Sequence, residues 1–154
     1  MKENEKAPKA PHPAKVYLRQ YADMKLRRDD LKDELQSIRE NATRATSRLT
    51  AERASGTSAR DGMANAVIRA VEAERRLERL ILHITEALEI RARVIEKMEN
   101  EDEKTLLTER YINGRSWEEI QSRLFLGRTA AFKLHGHALN HFWETFSRMN
   151  ENAD

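Results

Sequence analysis

The chain has 154 residues, the size of one or two small domains, with 35% charged residues but a formal net charge of only +2. Mixed signs at this density suit long helices laced with solvent. The absence of cysteine excludes disulfides, thiol nucleophiles, iron–sulfur clusters and thiolate zinc sites, and no apolar run approaches the ~18 residues needed to span a bilayer.

Residues 1–14 hold all three prolines (Pro8, Pro11, Pro13) and are polar on the whole, which predicts a disordered tail. Lys2, Lys6, Lys9 and Lys15 are followed by no apolar segment, so a secretory signal is not expected and the chain reads as cytoplasmic. Beyond Pro13 the chain contains no proline, which permits long uninterrupted helix, since an interior proline costs about 3 kcal/mol there.

From Tyr17 apolar residues recur at spacings of four and three: Tyr17, Tyr21, Met24, Leu31, Leu35, Ile38, Ala42, Ala45 and Leu49, with Arg28 the one interruption. The pattern resumes as Met63, Val67, Ala70, Glu74, Leu77, Ile81, Ile84, Leu88, Arg91, Ile95 and Met98. These are a and d positions of a coiled coil. The stretch 54–62 (Ala-Ser-Gly-Thr-Ser-Ala-Arg-Asp-Gly) reads as the link between two helices of about 37 residues, each ~55 Å long. Equal lengths predict an antiparallel helical hairpin over 15–100. Net charges of +5 over residues 1–60 and −3 over 61–102 suit their pairing. A flanking apolar set (Leu80, Ala87, Ile90, Val94) exceeds what one seam buries and predicts a homo-oligomer, most simply a dimer. Arg28, Glu74 and Arg91 are expected to set register or to snorkel from a partly wet seam.

After Asn100 the period changes. Leu106, Leu107 and Tyr111 fit one face of a short helix, and Asn113-Gly114 is a strong turn dipeptide. Ser116-Trp117-Glu118-Glu119 matches a capping box, with Trp117, Ile120 and Leu124 on one face of the helix that follows. Phe125-Leu126-Gly127 makes a tight turn. The last helix then carries Ala131, Leu134, Ala138, Leu139 and Phe142 inward, and Arg128, Thr129, Phe132, Lys133 and His137 outward. A capped short helix, a three-residue turn and a longer helix with a basic start is the layout of a helix-turn-helix unit, assigned to 103–146 and followed by a disordered tail at 147–154. The fold class expected is therefore all-α, a long hairpin followed by this unit.

Tyr111-Ile112-Asn113-Gly114-Arg115-Ser116-Trp117-Glu118-Glu119-Ile120, with Leu134-His135-Gly136-His137-Ala138-Leu139, resembles phage- and prophage-encoded sigma-factor-like proteins. These join an N-terminal coiled coil to a unit similar to region four of sigma-70 factors. The resemblance extends more weakly to Met63-Ala64-Asn65-Ala66-Val67, and departs at Gly127 and Ala131 from the Ser or Thr and the bulky aliphatic usual there. It implies DNA binding and regulation of phage transcription.

On this reading Arg128, Thr129 and Lys133 meet base edges in the major groove, since Arg and Lys pair with guanine O6 and N7, and His137 lies on the same face. Phe132 has two readings, contact with a thymine methyl or RNA polymerase, or packing on the hairpin. Arg115, beside the free N–H groups of a helix start, is placed for a phosphate. Trp117 reads as core. His135, His137 and His141 supply no three-ligand set on one face, so no metal is expected, and no cofactor. No nucleophile–base pair or phosphate loop marks an enzyme. The competing readings are a ring-forming, small terminase-like packaging subunit and a coiled-coil scaffold that binds protein. Gly136, mid-helix at a cost of about 1 kcal/mol, would be explained by close approach of DNA or of a neighbouring helix.

Overall fold

The computed structural model describes residues 10–51 and 57–153, with side chains over 10–48 and 62–153. It is all-α. Two long helices, α1 (Pro13–Ala51) and α2 (Thr57–Glu96), precede α3 (Glu101–Leu107), a single wide turn of π geometry (Thr108–Ile112), α4 (Trp117–Leu124) and α5 (Arg128–Glu151). Among the described residues no helix is long and apolar enough to cross a membrane.

Three boundaries differ from those the sequence suggests. Residues 57–62 belong to α2 rather than to a 54–62 loop, and 52–56 lie outside the described residues. At the start, residues 1–9 are likewise outside, but Pro13 and Ala14 are helical and Ala14 is fully buried, so the expected tail does not reach 14. Proline fits the first helical turn because the N–H it lacks would have no partner there. His12 caps that turn: its Nδ1 accepts from the Ala14 N–H (3.1 Å), while Nε2 meets Asn140 Oδ1 at 2.9 Å. At the far end α5 runs to Glu151 instead of fraying at 147, because Phe146 and Met149 pack on the core.

The chain forms two compact units. One is Met24–Ala87, and the other joins the start of α1 up to Asp23 with Leu88–Asp154. The C-terminal helices are therefore not a separate 103–146 domain. Their core of Leu106, Leu107, Tyr111, Ile120, Ala138, Leu139 and Phe142 is completed by Ala14 and Leu18 of α1 and by Val94, Ile95 and Met98 around the end of α2. Tyr17 adds rings to this core, 5.0 Å from Phe146 and 6.2 Å from Phe142 between centroids. Arg91, which the heptad pattern places on the seam, is 3% exposed. Its Nε donates to the Tyr17 carbonyl (3.0 Å), Nη2 donates to Gln20 Oε1 (2.9 Å), and the guanidinium lies 3.7 Å from the Tyr17 ring centroid. Burial lowers its pKa from the ordinary value, and these contacts offset part of the cost of desolvating the charge.

In the Met24–Ala87 unit the two helices pack antiparallel. Leu31 and Leu35 meet Leu77, with Ile38, Ile81 and Ile84 around them. Arg39 spans the helices to reach Glu74 and Glu78, which explains the carboxylate at a seam position. Arg28 pairs with its neighbour Asp29 at 3.0 Å. Seam positions Ala42, Ala45 and Val67 are exposed.

Candidate nucleic-acid interface

The segment 106–142 folds locally for identifiable reasons. Asn100 caps α3, its Oδ1 accepting from the Glu103 N–H at 3.0 Å. Past Leu107 the helix widens, so that the Asn113 N–H reaches back five residues to the Thr108 carbonyl (2.9 Å). Gly114 then turns the chain at φ +69°, a left-handed conformation that favours glycine. The capping box of α4 is complete: Ser116 Oγ accepts from the Glu119 N–H (3.2 Å), and the Ser116 N–H donates to Glu119 Oε2 (2.8 Å). Those hydrogen bonds and Arg115 hold the Glu119 carboxyl below its ordinary pKa.

Between α4 and α5 stand three residues, as the sequence predicts. Phe125 ends α4 in the left-handed conformation (φ 54°), an uncommon choice for an aromatic residue, and its side chain is 95% exposed. Gly127 is the N-cap of α5, with extended backbone and no side-chain bond.

Ala131, Ala138, Leu139 and Phe142 face the core from α5, and Ala131 is fully buried. Arg128, Thr129, Phe132, Lys133 and His137 are all exposed on α5, with Thr129 and Lys133 on a common face and Arg128 and His137 flanking it on either side of the helix axis. From Arg128 to Asn140 that helix contains no acidic residue. Among the described ion pairs none involves Arg128 or Lys133. The Arg128 guanidinium lies 5.7 Å from the Phe132 ring centroid. Phe132 in turn packs on Trp117, with centroids 4.6 Å apart, so it leans on α4 while staying 41% exposed.

Arg115 is differently placed. Its guanidinium sits 3.6 Å from Glu109 Oε2 and 3.3 Å from Glu119 Oε1, two carboxylates that compete with any phosphate. The helix start beside it is also taken up by the capping box.

The histidines have separate employments. His135 is buried and its Nε2 meets the Tyr111 hydroxyl at 2.8 Å, while His141 Nδ1 meets Glu103 Oε2 at 2.7 Å. Burial, with Lys15, Arg110, Arg19 and His12 nearby, pushes His135 down to about 4. The bond to Glu103, with Glu144 and Glu99 nearby, raises His141. Among the described residues no cluster of His, Asp or Glu is arranged to hold a metal ion.

Three basic residues that nothing in the sequence marks as part of a site, Lys15, Arg19 and Arg110, come together beside Tyr111, Trp117, Phe132 and His135. Lys15 and Arg19 fall on the first turns of a helix read as coiled coil, and only the fold brings them to the C-terminal helices. Phe125 was legible as a turn residue but not as an exposed aromatic.

Neither a protein-family model, nor a curated protein, nor a solved structure matches the chain.

Proposed function

We propose that the protein is a sequence-specific DNA-binding transcriptional regulator of the phage type, with α5 read from about Arg128 to Phe142 in the major groove. The observation that carries this reading is the exposed, acid-free first half of α5. Arg128, Thr129, Lys133 and His137 stand exposed on an acid-free stretch behind a capped short helix and a three-residue turn. A major groove admits one helix, and cations near its start reach base edges and phosphates. Arg128 and Lys133 carry the recognition. Arg115, tied to Glu109 and Glu119, contributes less than its place in the sequence suggests.

The modest charge of this segment makes affinity depend on holding two readers together. We assign that role to the coiled coil. Val67, Ile68, Val71, Leu80 and Leu82 are exposed on α2 within the Met24–Ala87 unit, which favours a cover supplied by a second copy.

The test is a double substitution, Arg128→Ala with Lys133→Ala. Affinity for selected duplex sites, in a gel shift at stated salt, should fall at least about tenfold with helicity unchanged. Equal binding by variant and parent overturns the recognition face.

A further inference from the structure

The unit containing the C-terminal helices is electrically polarised around α5. Glu99, Glu103 and Glu144 gather about His141, whereas Lys15, Arg19, Arg110 and His12 gather about His135. The basic side contains a cleft of about 340 Å³ lined by Lys15, Leu18, Arg19, Ala22, Arg110 and Tyr111, and by Gly114, Trp117, Phe132 and His135 beyond them. No carboxylate lines it. Among the described ion pairs none engages Lys15, Arg19 or Arg110. Three cations held together without an acid repel one another, and an anion relieves that repulsion.

The arrangement is built rather than loose. Lys15 and Arg19 are four residues apart on α1 and share a face. Arg110 is aimed from the wide turn, its Nη1 donating to the Arg115 carbonyl (3.0 Å) and its guanidinium 5.1 Å from the Trp117 ring centroid. Trp117 is also covered by Phe132 at 4.6 Å and met edge-on by His135 at 5.0 Å. The Trp117 ring is thus already engaged by Arg110, Phe132 and His135, whereas a phosphate finds three donors. Phe132 belongs both to this cleft and to the exposed side of α5, which makes the two surfaces continuous.

Resting on the DNA-binding reading above, we propose that this cleft seats a backbone phosphate of the duplex lying along α5, so that α1 takes part in binding DNA directly. The double variant Lys15→Gln with Arg19→Gln alters one half-buried and one exposed side chain, and circular dichroism should show unchanged helicity. Duplex affinity measured across a salt series should drop several-fold at low salt. The slope of log affinity against log salt should become shallower by about 1 to 2. Inorganic pyrophosphate should shift the His135 ring resonances of the parent and not of the variant.

Identical affinity and slope in parent and variant overturn the seat while leaving duplex binding by α5 intact. A parent chain that binds no duplex at low salt overturns both. If pyrophosphate still shifts His135 in that case, the cleft serves a free phosphorylated ligand instead of a backbone.

Discussion

The two compact units draw on the same pair of long helices and the same seven-residue pattern, yet they bury it to different depths. In the Met24–Ala87 unit Leu31, Leu35 and Leu77 are buried, while Ala42, Ala45 and Val67 on the same seams are exposed. Around the chain ends, Leu18, Val94, Ile95 and Met98 are all buried, because α3, α4 and α5 add a further layer. A heptad stripe specifies which side of a helix is apolar. How much of that side leaves water depends on how many layers cover it. Two helices alone give a thin seam, and in this unit it is thinner still where alanines stand at the core positions.

That contrast makes the largest expected effect a core truncation in the thicker unit. Phe142 is fully buried and ringed by Tyr17 and Phe146, so Phe142→Ala should cost about 3–5 kcal/mol. Leu77→Ala in the two-helix unit should fall near the lower end of the leucine range, about 2 kcal/mol, since partly wet neighbours close over the gap. Denaturant titrations followed by circular dichroism compare the two. Equal losses would mean that the thin seam is as well packed as the layered core.

The sequence carried the local features well and the assembly of the thicker unit poorly. The Asn113-Gly114 turn, the Ser116 capping box and the inward residues of α5 are short-range or periodic signals and stand where expected, while the heptad spacing holds at Leu31, Leu35 and Leu77 and not at the exposed Ala42, Ala45 and Val67. What could not be read was which distant segments complete a core. Ala14 and Leu18 sit more than seventy residues from the segments they pack with, behind three prolines that mimic a tail. The same long-range closure hides Lys15 and Arg19 among heptad residues and gives Arg91 a structural task on the Tyr17 carbonyl. Met149 likewise extends α5 through residues whose polarity suggests fraying.

Acid sharpens the contrast next, because the basic side of the thicker unit holds a buried histidine. His135 titrates at about 4 when folded, below the ordinary 6.5. Above pH 6.5 it is neutral in both states. As pH falls below that value the unfolded chain takes up a proton that the folded chain refuses, so stability is lost between about pH 6.5 and 4, by up to roughly 3 kcal/mol. His141 works in the opposite sense: its raised pKa gives stability that is present below 6.5 and fades as pH rises through the folded value. Being half exposed, it contributes less. Melting temperatures from pH 4 to 8 should therefore fall on acidification for the parent and flatten in His135→Gln, which retains a polar partner for Tyr111. A parent whose stability is constant over that range would deny the buried, neutral His135.

The smallest effect separates folding from binding at one position. Gly136 is exposed in mid-helix, and a methyl group added there meets nothing within 4 Å, so no neighbouring helix among the described residues accounts for it. Gly136→Ala should consequently stabilise α5 by about 0.5–1 kcal/mol, chiefly by restricting the unfolded backbone. If the glycine serves close approach of a duplex, that gain in stability comes with weaker binding, because the added methyl group holds the phosphate backbone away. Both quantities can be measured on one preparation, by melting and by gel shift. A more stable variant with undiminished affinity would place the DNA on the first two turns of α5 alone, at Arg128, Thr129 and Lys133, and free position 136 of any part in the contact.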